Sequence, residues 1–328
     1  MNLYPWQQSS WSRIDQLIQE DRLPHALLFL GHKGIGKRAM AERLAARLLC
    51  IAPEAGHPCQ RCKTCQLIHH GSHPDLLHLS PEEEGKVIKV DPVRNTIDKL
   101  HGTAQQGGYR VLIIDPAEAM NVSAANALLK TLEEPGQNTM IILIVDQLGQ
   151  VMPTIRSRCQ RIECPMPSPD ESVPWLADQL SMTPEKATGL LALAQGAPLT
   201  AHAWKSGSAL ELRAKLMGGL ADILRGRVSA IALAETLQRE DLRLPLTWWQ
   251  SLLGDIVRIQ VAGVEKPRVN ADMSSLIISV AEKANPTRVV ALYDSVQAEL
   301  SGIERHQNPN KQLLLESLLF DWKELRAD

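Results

Sequence analysis

The sequence predicts an α/β amino-terminal half built on a parallel sheet, followed by a carboxy-terminal half that is helical throughout. Three observations lead there. Short, unbroken apolar runs alternate with helical patterns up to about residue 165. A glycine-rich loop, GHKGIGKR at 31–38, joins the first of those runs to the first helix behind it. Beyond CPMPSPDESVP at 164–174, no convincing set of strands follows. Strands covered on both faces read as continuous apolar runs rather than as alternating ones, so the sheet is expected to be parallel with helices on both sides.

The elements follow in order. ALLFL at 26–30 is the first strand, and it stops at Gly31. In RAMAERLAARLLC, Met40, Leu44, Leu48 and Leu49 recur at helical spacing. The turn signal QQGG precedes a second strand, VLIID at 111–115. SAANALLKTLEE is a helix stopped by Pro135-Gly136, and MIILIVD at 140–146 is a third strand. The Pro- and Ser-rich stretch at 164–174 reads as a linker. LADQLSMTPEKATGLLALAQG is a short helical unit, and from about 207 helix follows helix. In the last one, NPN at 308–310 is the start signal, and Leu314, Leu315, Leu318, Leu319, Trp322 and Leu325 make a broad apolar face.

Composition narrows the function classes. The 328 residues suffice for two or three domains, and 44% apolar residues supply a substantial core. A net charge of −2 does not predict tight DNA binding by the whole surface, which needs clustered Lys and Arg, and leaves a local basic face open. The amino terminus has no basic segment followed by an apolar core, and runs such as MIILIV are too short to span a bilayer. A cytoplasmic protein without membrane contact is expected. Six cysteines in such a chain point to metal binding or buried thiols rather than to disulfides.

The glycine-rich loop fits a phosphate-binding P-loop. Gly31, Gly34 and Gly36 let backbone N–H groups curl around phosphate oxygens, Lys37 reaches the outer phosphates, and the following helix adds partial positive charge. An ordinary glycine-rich turn is the plainer alternative. The next position normally offers magnesium a hydroxyl, and here it is Arg38. Asp115 stands at the end of the second strand, where an acidic residue holds the metal. The carboxylate that activates water normally comes next, and here that position is Pro116, with Glu118 two residues further on. Two defects in one site predict badly impaired hydrolysis, while nucleotide binding by the backbone and Lys37 stays open.

Cys50, Cys59, Cys62 and Cys65 form C-x8-C-x2-C-x2-C. Four thiolates complete a tetrahedral zinc site with no open position, which argues for structure rather than catalysis. Alternatively, Cys50 is a buried thiol at a helix end, or one of His57, His69, His70 and His73 serves as a ligand. PTIRSRCQ at 153–160 places Arg156 and Arg158 beyond the third strand. They are either solvated arginines at a sheet edge or guanidinium groups presented to another subunit's triphosphate, and spacing alone does not choose.

Together, RLPHALLF with GHKGIGK, the four cysteines, VLIIDPAEAM, AANALLKTLEEP, PTIRSRC and NPNKQLLLESLL resemble the AAA+ clamp-loader family of bacterial DNA polymerase III. The likeness is dense over 24–165, weak over 166–300, and returns at 308–319. It implies a RecA-like AAA+ domain at 1–165 with a zinc module inserted at about 50–65, a helical lid at 166–206 and a helical collar at 207–328. It also implies assembly into a heteropentamer that places a sliding clamp on primed DNA. The family's trans-acting arginine lies in its Ser-Arg-Cys motif, which here is Ser157, Arg158 and Cys159, with Arg156 secondary. Some members of the family do not hydrolyse ATP, and Arg38 and Pro116 fit that group. So do the lack of a polar residue near Val145 and the lack of an arginine in QGAPLTAHA at 195–203. The resemblance therefore implies a structural zinc, a weak or vestigial ATP site, and a subunit that is not catalytic alone but belongs to the polymerase holoenzyme. Three rivals remain: an ATP-hydrolysing motor subunit of the same loader with Glu118 standing in, a P-loop small-molecule kinase, and a stand-alone zinc-dependent DNA-binding module.

Overall fold

In the computed structural model, which describes residues 3–54, 56–83, 85–106, 108–263, 269–305 and 307–325, the continuous apolar runs do become the middle of a parallel sheet. The strands are β1 (Ala26–Leu30), β2 (Leu76–Leu79), β3 (Arg110–Ile114), β4 (Thr139–Val145) and β5 (Gln160–Glu163). They pair in parallel in the order β2-β3-β4-β1-β5. The three strands expected from sequence are the three central ones, and β3 and β4 are buried along their whole length. The two edge strands carry no comparable signal. Each has four residues, and in β5 (QRIE) only Ile162 is buried. Of the turn ahead of β3, Gly107 lies outside the described residues.

Alternate residues of the strands feed two cores, as a parallel sheet requires. On one face Leu27, Phe29, Val111, Ile113, Ile142 and Ile144 meet α1 (Gln8–Gln19) and α2 (Lys37–Leu49) through Trp11, Ile14, Met40 and Leu44. Beyond α2 lies the short α3 (Lys63–His69). On the other face Leu28, Leu112, Ile114, Ile141 and Leu143 meet α4 (Val90–His101), α5 (Val122–Glu133) and α6 (Pro153–Arg156). Asn121 caps α5 by accepting from the N–H of Ala124 at 2.8 Å. The register sets Leu30 beside Val145 and Leu112 beside Ile141, so the carboxyl ends of β1, β3 and β4 lie together. The residues that follow them, Gly31, Asp115 and Asp146, form the floor of one site.

The chain divides into two compact units, Met1–Ser172 and Val173–Asp328. α7 (Pro169–Leu180) runs across that boundary. The second unit is entirely helical among the described residues: α8 (Pro184–Leu193), α9 (Pro198–Ser206), α10 (Ala209–Leu224), α11 (Ala230–Leu237), α12 (Arg243–Ala262), α13 (Ser274–Lys283), α14 (Pro286–Glu304) and α15 (Lys311–Glu324). The apolar face expected on the last helix is there. Asn310 caps α15 through the N–H groups of Gln312 and Leu313, and Leu314, Leu315, Leu318, Leu319, Trp322 and Leu325 are buried. Trp322 stacks edge-on with Trp249 and donates to the Leu220 carbonyl at 2.9 Å. A polar knot lies inside this unit. Asp255, fully buried, accepts from the N–H of Asn270 at 2.8 Å and from Arg258 at 3.0 Å, and Asn270 accepts from Arg213 at 2.9 Å. Among the described residues, no helix is long and apolar enough to cross a membrane.

Candidate functional site

The loop between β1 and α2 has the glycine geometry that a P-loop needs. Gly34 and Gly36 sit at φ of 81° and 93°, in the left-handed region that side chains avoid. A Cβ at Gly31 would lie 2.2 Å from the Cys164 carbonyl oxygen, so only glycine lets the loop pass the end of β5. A Cβ at Gly36 would strike the Tyr4 ring at 2.6 Å. The amino-terminal segment therefore packs directly on the loop. Trp6 donates to the Ile35 carbonyl at 2.8 Å, and Gln7 donates to the Gly36 carbonyl at 2.7 Å.

Lys37 is occupied from within. It is only 4% exposed. Its ammonium donates to the carbonyls of Gly31 at 2.6 Å and His32 at 2.7 Å, and to Asp146 Oδ1 at 2.5 Å. Three N–H groups thus have three acceptors, one of them a carboxylate. Sequence reasoning missed Asp146. It finds no polar group near Val145, but one residue further on the chain supplies this carboxylate. Tyr4, Trp6 and Gln7 were missed as well, because nothing in their local pattern shows that they fold back on residues some thirty positions away.

The metal side of the site is also filled by the chain itself. Arg38 Nε lies 3.4 Å from Asp115 Oδ2 and 3.6 Å from Glu42. A positive charge therefore already stands against the carboxylate that would face magnesium. Burial pushes the Asp115 carboxyl above its ordinary range, and Arg38 opposes this without cancelling it. Glu118 turns toward the end of β4, where Oε1 accepts from the N–H groups of Asp146 at 2.8 Å and Gln147 at 3.2 Å. Its pKa is raised, chiefly by burial.

The four predicted cysteines come together. Cys50 ends α2 and Cys62 precedes α3. The sulfur atoms of Cys50, Cys59, Cys62 and Cys65 all lie within 4.8 Å of one another, and Cys50 and Cys62 are 3.9 Å apart. Zinc–sulfur bonds of about 2.3 Å in a tetrahedron set the sulfurs ~3.8 Å apart, so the donors fit a closed zinc site. The backbone N–H groups of Cys59 and Cys62 point to the sulfurs of Cys50 and Cys59 at 3.3 and 3.4 Å, which favours thiolate charge. Burial raises the Cys62 thiol, but hydrogen bonds from Thr64 and the backbone outweigh it and bring it down to about 6. Burial pushes Cys50 and Cys65 up. Of the four nearby histidines, His57 and His73 are engaged elsewhere. His57 Nδ1 lies 2.7 Å from Arg43, which in turn stands over the Trp11 ring, and His73 Nδ1 accepts from the N–H of Asp75.

Arg156 ends α6 and Arg158 lies in the turn before β5, outside the loop just described. Arg158 Nε donates to Glu133 Oε1 at 2.8 Å, Nη2 donates to the same oxygen, and Nη1 donates to the Thr154 carbonyl at 2.8 Å.

Comparison with known proteins agrees along the whole chain. A family described as DNA polymerase III, delta subunit, matches residues 6–168, and its C-terminal counterpart matches residues 208–324. The DNA polymerase III subunit delta' of Pseudomonas aeruginosa is 41% identical, with 99% of this chain and 98% of that protein covered. The proteins of the same name from Yersinia pestis and Escherichia coli are 33% and 31% identical, over 98% and 97% of this chain and 96% and 95% of theirs.

Proposed function

The chain belongs to the DNA polymerase III subunit delta' family, and from that premise we propose that it is a non-hydrolysing subunit of the clamp loader. It acts with the other loader subunits in a heteropentamer, on the sliding clamp and primed DNA. In this reading residues 1–165 are a RecA-like AAA+ domain, 166–206 the helical lid and 207–328 the collar. The observation that carries the reading is the self-occupied P-loop: Lys37 is held by Asp146, and Arg38 stands against Asp115. A subunit in this state keeps the shape of an ATPase while its own site contributes nothing to turnover, and ATP binding there is weak or vestigial. Its contribution to the reaction is Arg158, offered to the triphosphate of a neighbouring subunit.

Cys50, Cys59, Cys62 and Cys65 would hold a structural zinc, and four thiolates would give it a closed coordination that cross-links the segment and leaves no position for a substrate. The rival motor reading is disfavoured by the engagement of Glu118 with the backbone of Asp146 and Gln147. The kinase reading is disfavoured because the carboxylates of this site are already paired, Asp146 with Lys37 and Asp115 with Arg38.

The test is a loader assembled with the Arg158→Ala chain. An arginine finger is worth about 10³–10⁵ in hydrolysis rate at the site it serves. Assembly is expected to be unchanged by gel filtration, with DNA-stimulated ATP turnover strongly reduced. Unchanged turnover removes the arginine's role. Steady phosphate release by the isolated wild-type chain, lost in Lys37→Ala, removes the non-hydrolysing reading.

A further inference from the structure

Arg158 is held rather than free, and the group that holds it belongs to a different element. Glu133 is the last residue of α5, and one of its carboxylate oxygens accepts from both Nε and Nη2 of Arg158. The Thr154 carbonyl, in α6, accepts from Nη1 at 2.8 Å. We propose that Glu133 is a positioning residue for Arg158, setting the pose in which the guanidinium meets a neighbour's phosphates. The inference rests on the trans-acting role of Arg158 given above and adds the residue that makes the arginine effective.

Four rotatable bonds give an arginine many poses, and a rate gain from one charge at one oxygen requires a single pose. Glu133 and Thr154 remove that freedom by engaging all three nitrogens of the planar guanidinium. A guanidinium has five N–H groups in a rigid fork. Glu133 takes one on Nε and one on Nη2, and Thr154 takes one on Nη1. One hydrogen remains on Nη2, and the second on Nη1 makes only a long contact to Ser157 Oγ at 3.4 Å, which a phosphate oxygen can displace. The holding elements are firm, because Leu128 and Leu132 of α5 and Ile155 of α6 are buried in one core against the sheet. The carboxylate also offsets some of the arginine's charge. Both side chains are partly exposed, so solvent screens that effect while the geometry persists.

The experiment assembles the loader with Glu133→Ala, Glu133→Gln, Arg158→Ala or the Glu133→Ala/Arg158→Ala pair, and measures kcat and KM for DNA-stimulated ATP hydrolysis. Glu133→Ala is expected to lower kcat about five- to tenfold with KM for ATP nearly unchanged, and Glu133→Gln, which still accepts a hydrogen bond, to lower it less. In the Arg158→Ala background, Glu133→Ala is expected to have no further effect, because it acts through the arginine. An equal loss in both backgrounds marks Glu133 as merely structural and overturns the proposal. Unchanged or raised turnover in Glu133→Ala overturns it too, the latter marking a restraint on Arg158. Where Arg158→Ala lowers turnover and Glu133→Ala does not, the proposal alone fails. Where Arg158→Ala is itself without effect, the reading of Arg158 fails and this proposal falls with it.

Discussion

Asp146→Ala probes the self-occupied P-loop directly. Lys37 has three N–H donors and three acceptors, so a phosphate reaches the ammonium only by displacing one of them. Asp146 is the acceptor that can leave, because the other two are backbone carbonyls of the loop itself. A hydrogen bond between charged partners contributes about 1.5–3 kcal/mol, and each ~1.4 kcal/mol is tenfold in affinity. Asp146 is 27% exposed, which places the pair at the weaker end of that range. The pair is therefore expected to weaken phosphate binding about tenfold, and Asp146→Ala to recover that factor. Stability falls at the same time by about 1–3 kcal/mol, since Lys37 stays buried with two carbonyls but one of its N–H donors loses its acceptor. Titration of the isolated chain with a fluorescent ATP analogue measures the first effect, and urea unfolding the second. Lys37→Ala/Asp146→Ala is the control, and it should lose the gain. If Asp146→Ala binds the analogue no more tightly than wild type, or if the gain survives without Lys37, the account of the loop is wrong.

Two further outcomes follow from other parts of the chain. Purified protein should carry about one zinc per chain by metal analysis, and stripping it should lower the melting temperature by roughly 5 °C or more, because zinc binding and folding of the four-cysteine segment are linked; a chain that purifies without zinc and melts unchanged under a chelator contradicts the metal site. Asp255→Ala should lower stability by about 3–5 kcal/mol in urea unfolding, since a fully buried carboxylate that accepts from Arg258 and from the N–H groups of Val269 and Asn270 is lost and its donors stay behind. A loss below about 1 kcal/mol shows that water replaces the carboxylate there.

Much of this protein is written in local pattern. β1, β3 and β4 are continuous apolar runs because they lie in the middle of a parallel sheet, and that burial leaves its mark residue by residue. The four cysteines are legible because all four ligands happen to fall in one short segment, 50–65, where the spacing itself shows the set. The apolar face of α15 and its Asn310 cap are legible for the same reason, since helical period and capping act within one turn. What sequence alone does not carry is whatever depends on residues far apart. β2 and β5 are short edge strands whose pairing comes from their neighbours rather than from their own composition. Asp146 reaches Lys37 across 109 positions and Glu133 reaches Arg158 across 25, and each carboxylate looks like an ordinary surface residue until the sheet sets its partner beside it. The sequence by itself determined which chemical groups are available: a lysine without its neighbouring hydroxyl, four thiols and an arginine beyond a strand. Only the tertiary structure decided how those charges are spent, because electrostatic pairing depends on distance through space and the chain specifies that distance only once it has folded.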